Sequence, residues 1–539
     1  MRRVSLVGAI LALALLPSLV FLRNSLDVPT LGYFHDDAFY LVAGKSLAEG
    51  NGYRVLSLPG QPYQTKHPPL FPMILSAAWR WGPAYPANLS WAVILAWLPL
   101  PIILGLCYLL FREYGSSPPT SLALAAVFAL SPWWTYLSTT LLAETWLTLF
   151  VLAAVLTAEL AQRKAENWWL PALAGVWAAC AFLTRTAALP ILLITPVVFL
   201  LGKRYRSAAA FTSAMLPAVA AWSLWSAAHR GGATDWVSLY YLDYAGYYLQ
   251  NVTLPDLPTF VYRNMDSILT SLGDMLLFQV SGVFLGRQLG WIVALASIMG
   301  CVRLARRGAH LHYLLFAAGL VCLLLIWNFP ANPRFLLTLF PIFYYGFWTE
   351  LAHLAGLIQS AAIHAQASQR GAARIAWAAL GLFLCGVIWI NHDGWKQMDL
   401  AAREHRSFRA QMRPAYEWIR SNVPAGSAFY ADRDPMLYLN SSFTGCMVAI
   451  PTTYSYRGDD QRILSQLRNF QHFARKQHLD YLLLTPRDFE RDPLPGPMRR
   501  VLREDIAANP AFQPVFATAS ASIYQLANPE SLEPKHARR

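Results

Sequence analysis

The chain has 539 residues, a length that alone suggests about three or four soluble domains. Composition excludes that reading: 56% of residues are hydrophobic, only 14% are charged, and the mean hydropathy is +0.34. So little charge cannot hydrate so much surface, and the 20 Trp and 25 Tyr favour the wet edge of a bilayer. The net charge of +13 raises a nucleic-acid partner. In a multi-pass membrane protein, however, cations first fix topology, and here they are scattered through short loops rather than gathered on one basic face. Of the six cysteines, Cys107, Cys180, Cys301, Cys322 and Cys385 fall in apolar stretches, and with Cys446 they form neither a disulfide framework nor a zinc spacing.

Runs of roughly 17–25 mostly apolar residues are candidate spans. In chain order there are about 11, at about 4–22, 90–111, 119–138, 141–160, 168–186, 187–202, 207–227, 284–302, 311–329, 334–354 and 374–392. The first follows Met1-Arg2-Arg3 and lacks an A-x-A cleavage site, so it reads as an uncleaved signal anchor. With the N-terminus in the cytoplasm, the inner loops carry Arg112, then Arg163-Lys164, then Lys203, Arg204 and Arg206. Arg303, Arg306 and Arg307 follow, then Arg370 and Arg374, so every inner loop is cationic. The outer segments are then about 23–89, about 228–283 and everything after about 393.

The expected fold class is thus an α-helical polytopic membrane protein over 1–392, followed by an extracytoplasmic α/β domain over 393–539. In that tail, Phe408 to Val423 carries Met412, Ala415, Trp418 and Ile419 on one helical face and stops at Pro424-Ala425-Gly426. Ile463–Lys476 reads as a second amphipathic helix. Short β-like runs lie at Ser427–Ala431, Met436–Leu439, Met447–Ile450, Tyr481–Thr485 and Ser522–Leu526. The end after about 530 reads as frayed.

Charges beside a membrane are costly, so those at the outer ends of spans are informative. The first outer segment reads Tyr33-Phe34-His35-Asp36-Asp37-Ala38-Phe39-Tyr40 and continues to Gly50, the pattern of a helix that starts at Asp36. An Asp there is also an ordinary cap, stabilising by about 1 kcal/mol. Lys66-His67-Pro68-Pro69-Leu70-Phe71-Pro72 places Lys66 and His67 just ahead of a proline-opened helix along the membrane surface, where a lysine can equally snorkel. Glu144 stands in apolar sequence at the outer turn between the third and fourth spans and needs a cationic or donor partner. Arg185 and Arg334 interrupt apolar runs at outer span ends, where either can also serve as an interface anchor.

Jointly, Asp36, Asp37, Lys66, His67, Glu144, Arg185 and Arg334 come from distant parts of the chain, yet the topology puts them at one face beneath the tail. A carboxylate there can act as general base toward a hydroxyl or amine. Arginines can hold and neutralise a departing phosphate. The set suits transfer from a phosphate leaving group anchored in the bilayer.

On these strings the sequence resembles the GT-C glycosyltransferases, polytopic enzymes with lipid-phosphate sugar donors. It is most similar to the bacterial branch of aminoarabinose transferases, protein O-mannosyltransferases and lipopolysaccharide-core sugar transferases. The resemblance spans nearly the whole chain and is clearest at about 30–80, 130–190 and 325–345. Asp36-Asp37-Ala38-Phe39-Tyr40 matches the family's D-E-x-x-Y pattern, whose first acid is its general base. The Lys66 to Pro72 string resembles K-P-P-L-Y-P with one extra residue, leaving Lys66 and His67 as alternatives for the phosphate-facing place. Glu144 falls where the family has a second acid. Leu183-Thr184-Arg185 and Pro333-Arg334-Phe335-Leu336 resemble two further strings.

The resemblance implies an inverting displacement in which Asp36 takes the acceptor proton and a polyprenyl phosphate leaves. Lys66 or His67, Arg185 and Arg334 would stabilise that phosphate, and Glu144 would orient the acceptor or the cations. The acceptor would be a lipid, glycan or protein, and the compartment the inner membrane of a bacterium. An acidic doublet such as Asp36-Asp37 can alternatively bind a divalent ion. The tyrosines and tryptophan at 236–248 can stack on sugars or rest at the interface. A transporter or flippase of a lipid-linked sugar is the rival class, but such proteins carry repeats and Gly/Pro-broken spans meeting at the midplane, which this sequence does not display.

Overall fold

A computed structural model describes residues 2–164, 167–231, 235–307, 311–364, 369–489 and 496–527; the end after 530 lies outside them. The chain is a helical, polytopic membrane protein with one small C-terminal sheet. Among the described residues, six helices are long and apolar enough to cross a bilayer: Leu6–Asn24, Leu89–Glu113, Glu144–Arg163, Tyr205–His229, Gly286–Arg306 and Pro333–Ser360. The run expected at 119–138 is a pair, Pro118–Ala129 and Pro132–Ser138, bent by 59°. Pro132 has no N–H to continue the first helix. Three more apolar helices, Trp169–Thr184, Thr186–Leu201 and Leu311–Leu325, are shorter.

The run at 374–392 belongs to a single 54-residue helix, Gln369–Asn422, which continues unbroken through residue 393 into the tail. At about 1.5 Å per residue it is about 80 Å long, against about 30 Å of bilayer hydrocarbon. Membrane helices pack through small residues where their backbones meet. A Cβ on Gly300 would fall 1.8 Å from the Gly346 carbonyl oxygen, and one on Gly175 would fall 2.3 Å from that of Phe211.

The tail holds a five-stranded sheet. The strands are β1 (Ala428–Ala431), β2 (Thr444–Cys446), β3 (Tyr481–Leu484), β4 (Phe512–Ala517) and β5 (Ser522–Leu526), in spatial order β2-β1-β3-β5-β4. β1 pairs in parallel with β2 and β3, and β5 pairs antiparallel with β3 and β4. Strand alternation sends Phe429, Leu483 and Ile523 to one face, against Met412, Ala415 and Ile419 of the long helix. Tyr430, Leu482 and Leu484 go to the other face, against Ile463, Leu467 and Leu502. Both faces are covered, so the parallel strands read as continuous apolar runs.

The structure corrects the expected tail at several points. Met436–Leu439 is not a strand but lies in the helix Asp434–Ser441, opened by Asp434-Pro435. Met447–Ile450 lies past β2, whose Gly445 sits so close to Phe429 that a Cβ would be 2.7 Å from its carbonyl oxygen. Ile463–Lys476 is two helices, Asp460–Arg468 and Phe470–Lys476. The helix Gly496–Ala508 and β4 have no counterpart in the sequence reading. β4 carries Pro514 and an irregular register at the sheet edge, where proline is tolerated.

Candidate active site

Two of the candidate acids sit at helix N-termini, where the helix dipole favours negative charge. Asp36 opens the helix Asp36–Ala48 and Glu144 opens Glu144–Arg163. Arg185 occupies the extended residue that ends Trp169–Thr184. Arg334 lies in the short helix Pro333–Leu336, whose first turn is capped by Asn332 accepting from the Arg334 N–H at 3.0 Å.

These four residues join into one chain of ion pairs. Arg334 Nη2 donates to Asp36 Oδ2, and Arg334 Nε donates to Glu144 Oε1. Arg185 Nη1 donates to the same Glu144 oxygen. The Glu144 side chain is only 2% exposed and that of Arg334 8%, whereas Asp36 is 23% and Arg185 18% exposed. Glu144 is therefore the buried anchor that aligns two arginines, and Asp36 and Arg185 are the ends that a substrate can reach. Burial alone would raise the Asp36 pKa, but the positive charges of Arg334, Arg185 and Lys66 outweigh it. They hold Asp36 well below the ordinary carboxylate range.

The Lys66–His67 alternative divides by environment. Gln64 Oε1 accepts from both backbone N–H groups, at 3.0 and 3.2 Å, and Tyr53 donates to the carbonyls of His67 and Pro68. On this pinned segment the Lys66 ammonium lies over the rings of Tyr240 (4.1 Å) and Tyr244 (4.4 Å). Burial, with Arg185 adding to it against Asp36, lowers Lys66 to about 8. His67 packs its ring on Tyr40 and Phe39, with Nδ1 3.4 Å from the Tyr40 hydroxyl. Burial, and Lys66 beside it, lower His67 to about 3, so its ring is neutral at neutral pH. Lys66 is the cation of the pair.

The Asp37 oxygens accept from the Ala38 N–H at 2.8 Å and the Gly32 N–H at 3.1 Å. Asp36 is thus engaged with arginine and Asp37 with backbone amides. Among the described residues no group of three or more His, Cys, Asp or Glu could hold a metal ion. The mechanism proposed for the site uses none.

Sequence reasoning missed His35, Tyr241 and Asp434 as parts of this region. The His35 ring and the Tyr241 hydroxyl both bond the Asp434 carboxylate, which reaches them from the tail. His35 and Asp434 are 399 residues apart, and nothing in the local pattern of either couples them.

No protein-family model matches the sequence, and no curated protein matches it. Solved structures do match. The chain aligns with the Archaeoglobus fulgidus oligosaccharyltransferase, in complex with Zn and sulfate, at a TM-score of 0.55 and 13% identity, over 96% of this chain and 73% of that one. It aligns with AglB of the same organism, in complex with an inhibitory peptide and a dolichol-phosphate, at 0.53 and 13%, over 89% and 69%. With ArnT from Cupriavidus metallidurans bound to undecaprenyl phosphate the values are 0.52 and 12%, over 95% and 97%. At these identities the likeness is one of fold. The chain has the GT-C fold.

Proposed function

We propose that this protein is a membrane glycosyltransferase that moves a sugar, with inversion, from a polyprenyl-phosphate donor to a glycolipid, glycan or protein acceptor outside the cytoplasm. The observation that carries the reading is the continuous Asp36–Arg334–Glu144–Arg185 chain of ion pairs, with Lys66 beside it. Neighbours of the same fold hold dolichol-phosphate and undecaprenyl phosphate, which supports a polyprenyl-phosphate donor here. The compartment that fits is a bacterial inner membrane with the N-terminus in the cytoplasm and the tail in the periplasm.

The acceptor's oxygen or nitrogen attacks the anomeric carbon as the bond from that carbon to the phosphate oxygen breaks. The electron pair leaves with polyprenyl phosphate, and the acceptor proton goes to Asp36. Paired with Arg334, Asp36 is a weak base. A donor phosphate that draws on Arg334, Arg185 and Lys66 loosens that pairing and raises the Asp36 pKa toward a useful range. Donor binding thereby switches on the base. Glu144 stays on the arginines and keeps them aimed, and Tyr40 fills the wall against His67.

Purified protein should release polyprenyl phosphate from a polyprenyl-phosphate sugar only when an acceptor is present. Asp36→Asn should slow that release by at least about 100-fold in a variant that stays folded and still binds undecaprenyl phosphate. An unchanged rate overturns the base assignment. Movement of a lipid-linked sugar across proteoliposomes without any release favours the transporter instead.

A further inference from the structure

The segment that leads into Asp36 is clamped from outside by the tail. Asp434, the first residue of the helix Asp434–Ser441, is fully buried. Its Oδ1 accepts from His35 Nε2 at 2.9 Å and from the Tyr241 hydroxyl at 2.6 Å. Its Oδ2 accepts from the Ser57 hydroxyl at 2.7 Å. A carboxylate only accepts, so His35 Nε2 carries a proton. One tail side chain thus holds residues from both outer segments.

His35 is the residue immediately before Asp36, and its φ of +64° lies where a side chain with a Cβ is disfavoured. An external contact is needed to keep it there, and Asp434 supplies one. Two residues further on, Met436 covers Gly32, at φ +83°, so closely that a Cβ there would fall 2.4 Å from Met436 Cγ. The Gly32 N–H in turn donates to Asp37. Backbone contacts tie the same surfaces: Gly445 N–H donates to the Ser57 carbonyl at 2.8 Å, and Met447 N–H to the Tyr241 hydroxyl at 3.2 Å.

We propose that Asp434 is a positioning residue for the transfer reaction: by holding His35 it fixes the direction in which the Asp36 carboxylate faces the acceptor and Arg334. The proposal rests on the glycosyl-transfer reading above. Asp434 touches no reacting atom; it acts through the turn at 32–36. Asp434→Asn keeps the side chain's size but removes its charge and turns one acceptor oxygen into a donor, reversing the bond with Ser57 and weakening those with His35 and Tyr241.

The test uses the full-length chain in lipid nanodiscs, as wild type and as Asp434→Asn, Asp434→Ala and Asp434→Glu. Hydrogen exchange is read on peptides covering 30–40, and undecaprenyl phosphate is the binding probe. Turnover is read as polyprenyl phosphate released when a membrane extract supplies both polyprenyl-phosphate sugars and the lipid, glycan and protein acceptors. In Asp434→Asn and Asp434→Ala, exchange at 30–40 should quicken at least tenfold and the maximal rate should fall at least tenfold. Affinity for undecaprenyl phosphate should change less than twofold, and Asp434→Glu should recover part of the rate. Unaltered exchange at 30–40 overturns the clamp whatever the activity. Faster exchange with a full rate overturns the positioning role, as does loss of affinity in step with rate, which marks a general structural role. If the wild type releases nothing, the glycosyl-transfer reading fails and the positioning role falls with it, while the exchange result still decides whether the clamp exists.

Discussion

Asp36 is poised between two uses of one negative charge. It neutralises Arg334; in the proposed mechanism a phosphate on the arginines frees it to accept a proton. Replacing it with Asn removes the competitor for Arg334 and should leave undecaprenyl phosphate binding equal or tighter even as turnover is lost, which calorimetry or fluorescence titration can check. Arg334→Lys cannot reach Asp36 and Glu144 with two separate N–H groups in fixed geometry. Lys keeps the charge but leaves one buried carboxylate short of a donor, a cost of about 1–3 kcal/mol, so this variant should lose both thermal stability and turnover. Lys66 sets the pH limb. Its pKa is lowered to about 8, so its charge is present below that pH and disappears as pH rises through it. Donor binding should therefore weaken above about pH 8, later once phosphate stabilises the charged form, and Lys66→Met should remove that limb from rates at sub-saturating donor. These charges were legible in the sequence because each breaks an apolar run. Which neighbour of a doublet joins the arginines was not: Asp36 and Asp37, like Lys66 and His67, differ only in what surrounds them after folding.

At the scale of elements, the site is assembled from helix ends. Asp36 and Glu144 lie at N-termini, Arg185 at a C-terminal break and Arg334 in a four-residue turn. Charge at a span's end was readable from sequence because apolar runs mark where spans stop. Tail elements were less so. Asp434-Pro435 opens a helix whose apolar residues mimic a strand, and β4 hides behind Pro514 at an edge. The frame that sets these ends depends on close helix contacts such as Gly300 on Gly346. Gly300→Ala forces the two backbones apart and should destabilise by about 1–3 kcal/mol. Gly356→Ala, which meets nothing within 4 Å, is the matched control in a detergent thermal-unfolding assay.

At the scale of the whole molecule, the outer segments and the tail meet over the ends of the membrane helices. The long helix Gln369–Asn422 carries the chain there, and Asp434 reaches back to His35 and Tyr241. The helical class and the α/β tail were visible in hydropathy and charge; the docking of the tail on the first outer segment depends on pairings between residues hundreds apart. The topology makes a direct prediction. Ser465→Cys in the tail should react with an impermeant maleimide on intact cells, and Ser117→Cys, between two early spans, only after permeabilisation. The central claim is transfer from a polyprenyl-phosphate sugar with Asp36 as base. The most direct measurement follows polyprenyl phosphate release and sugar transfer together in nanodiscs, comparing wild type with Asp36→Asn. The expected result is stoichiometric release and transfer by the wild type, and at least about a 100-fold loss of both in a variant that still binds undecaprenyl phosphate. Equal rates in the two proteins would contradict it.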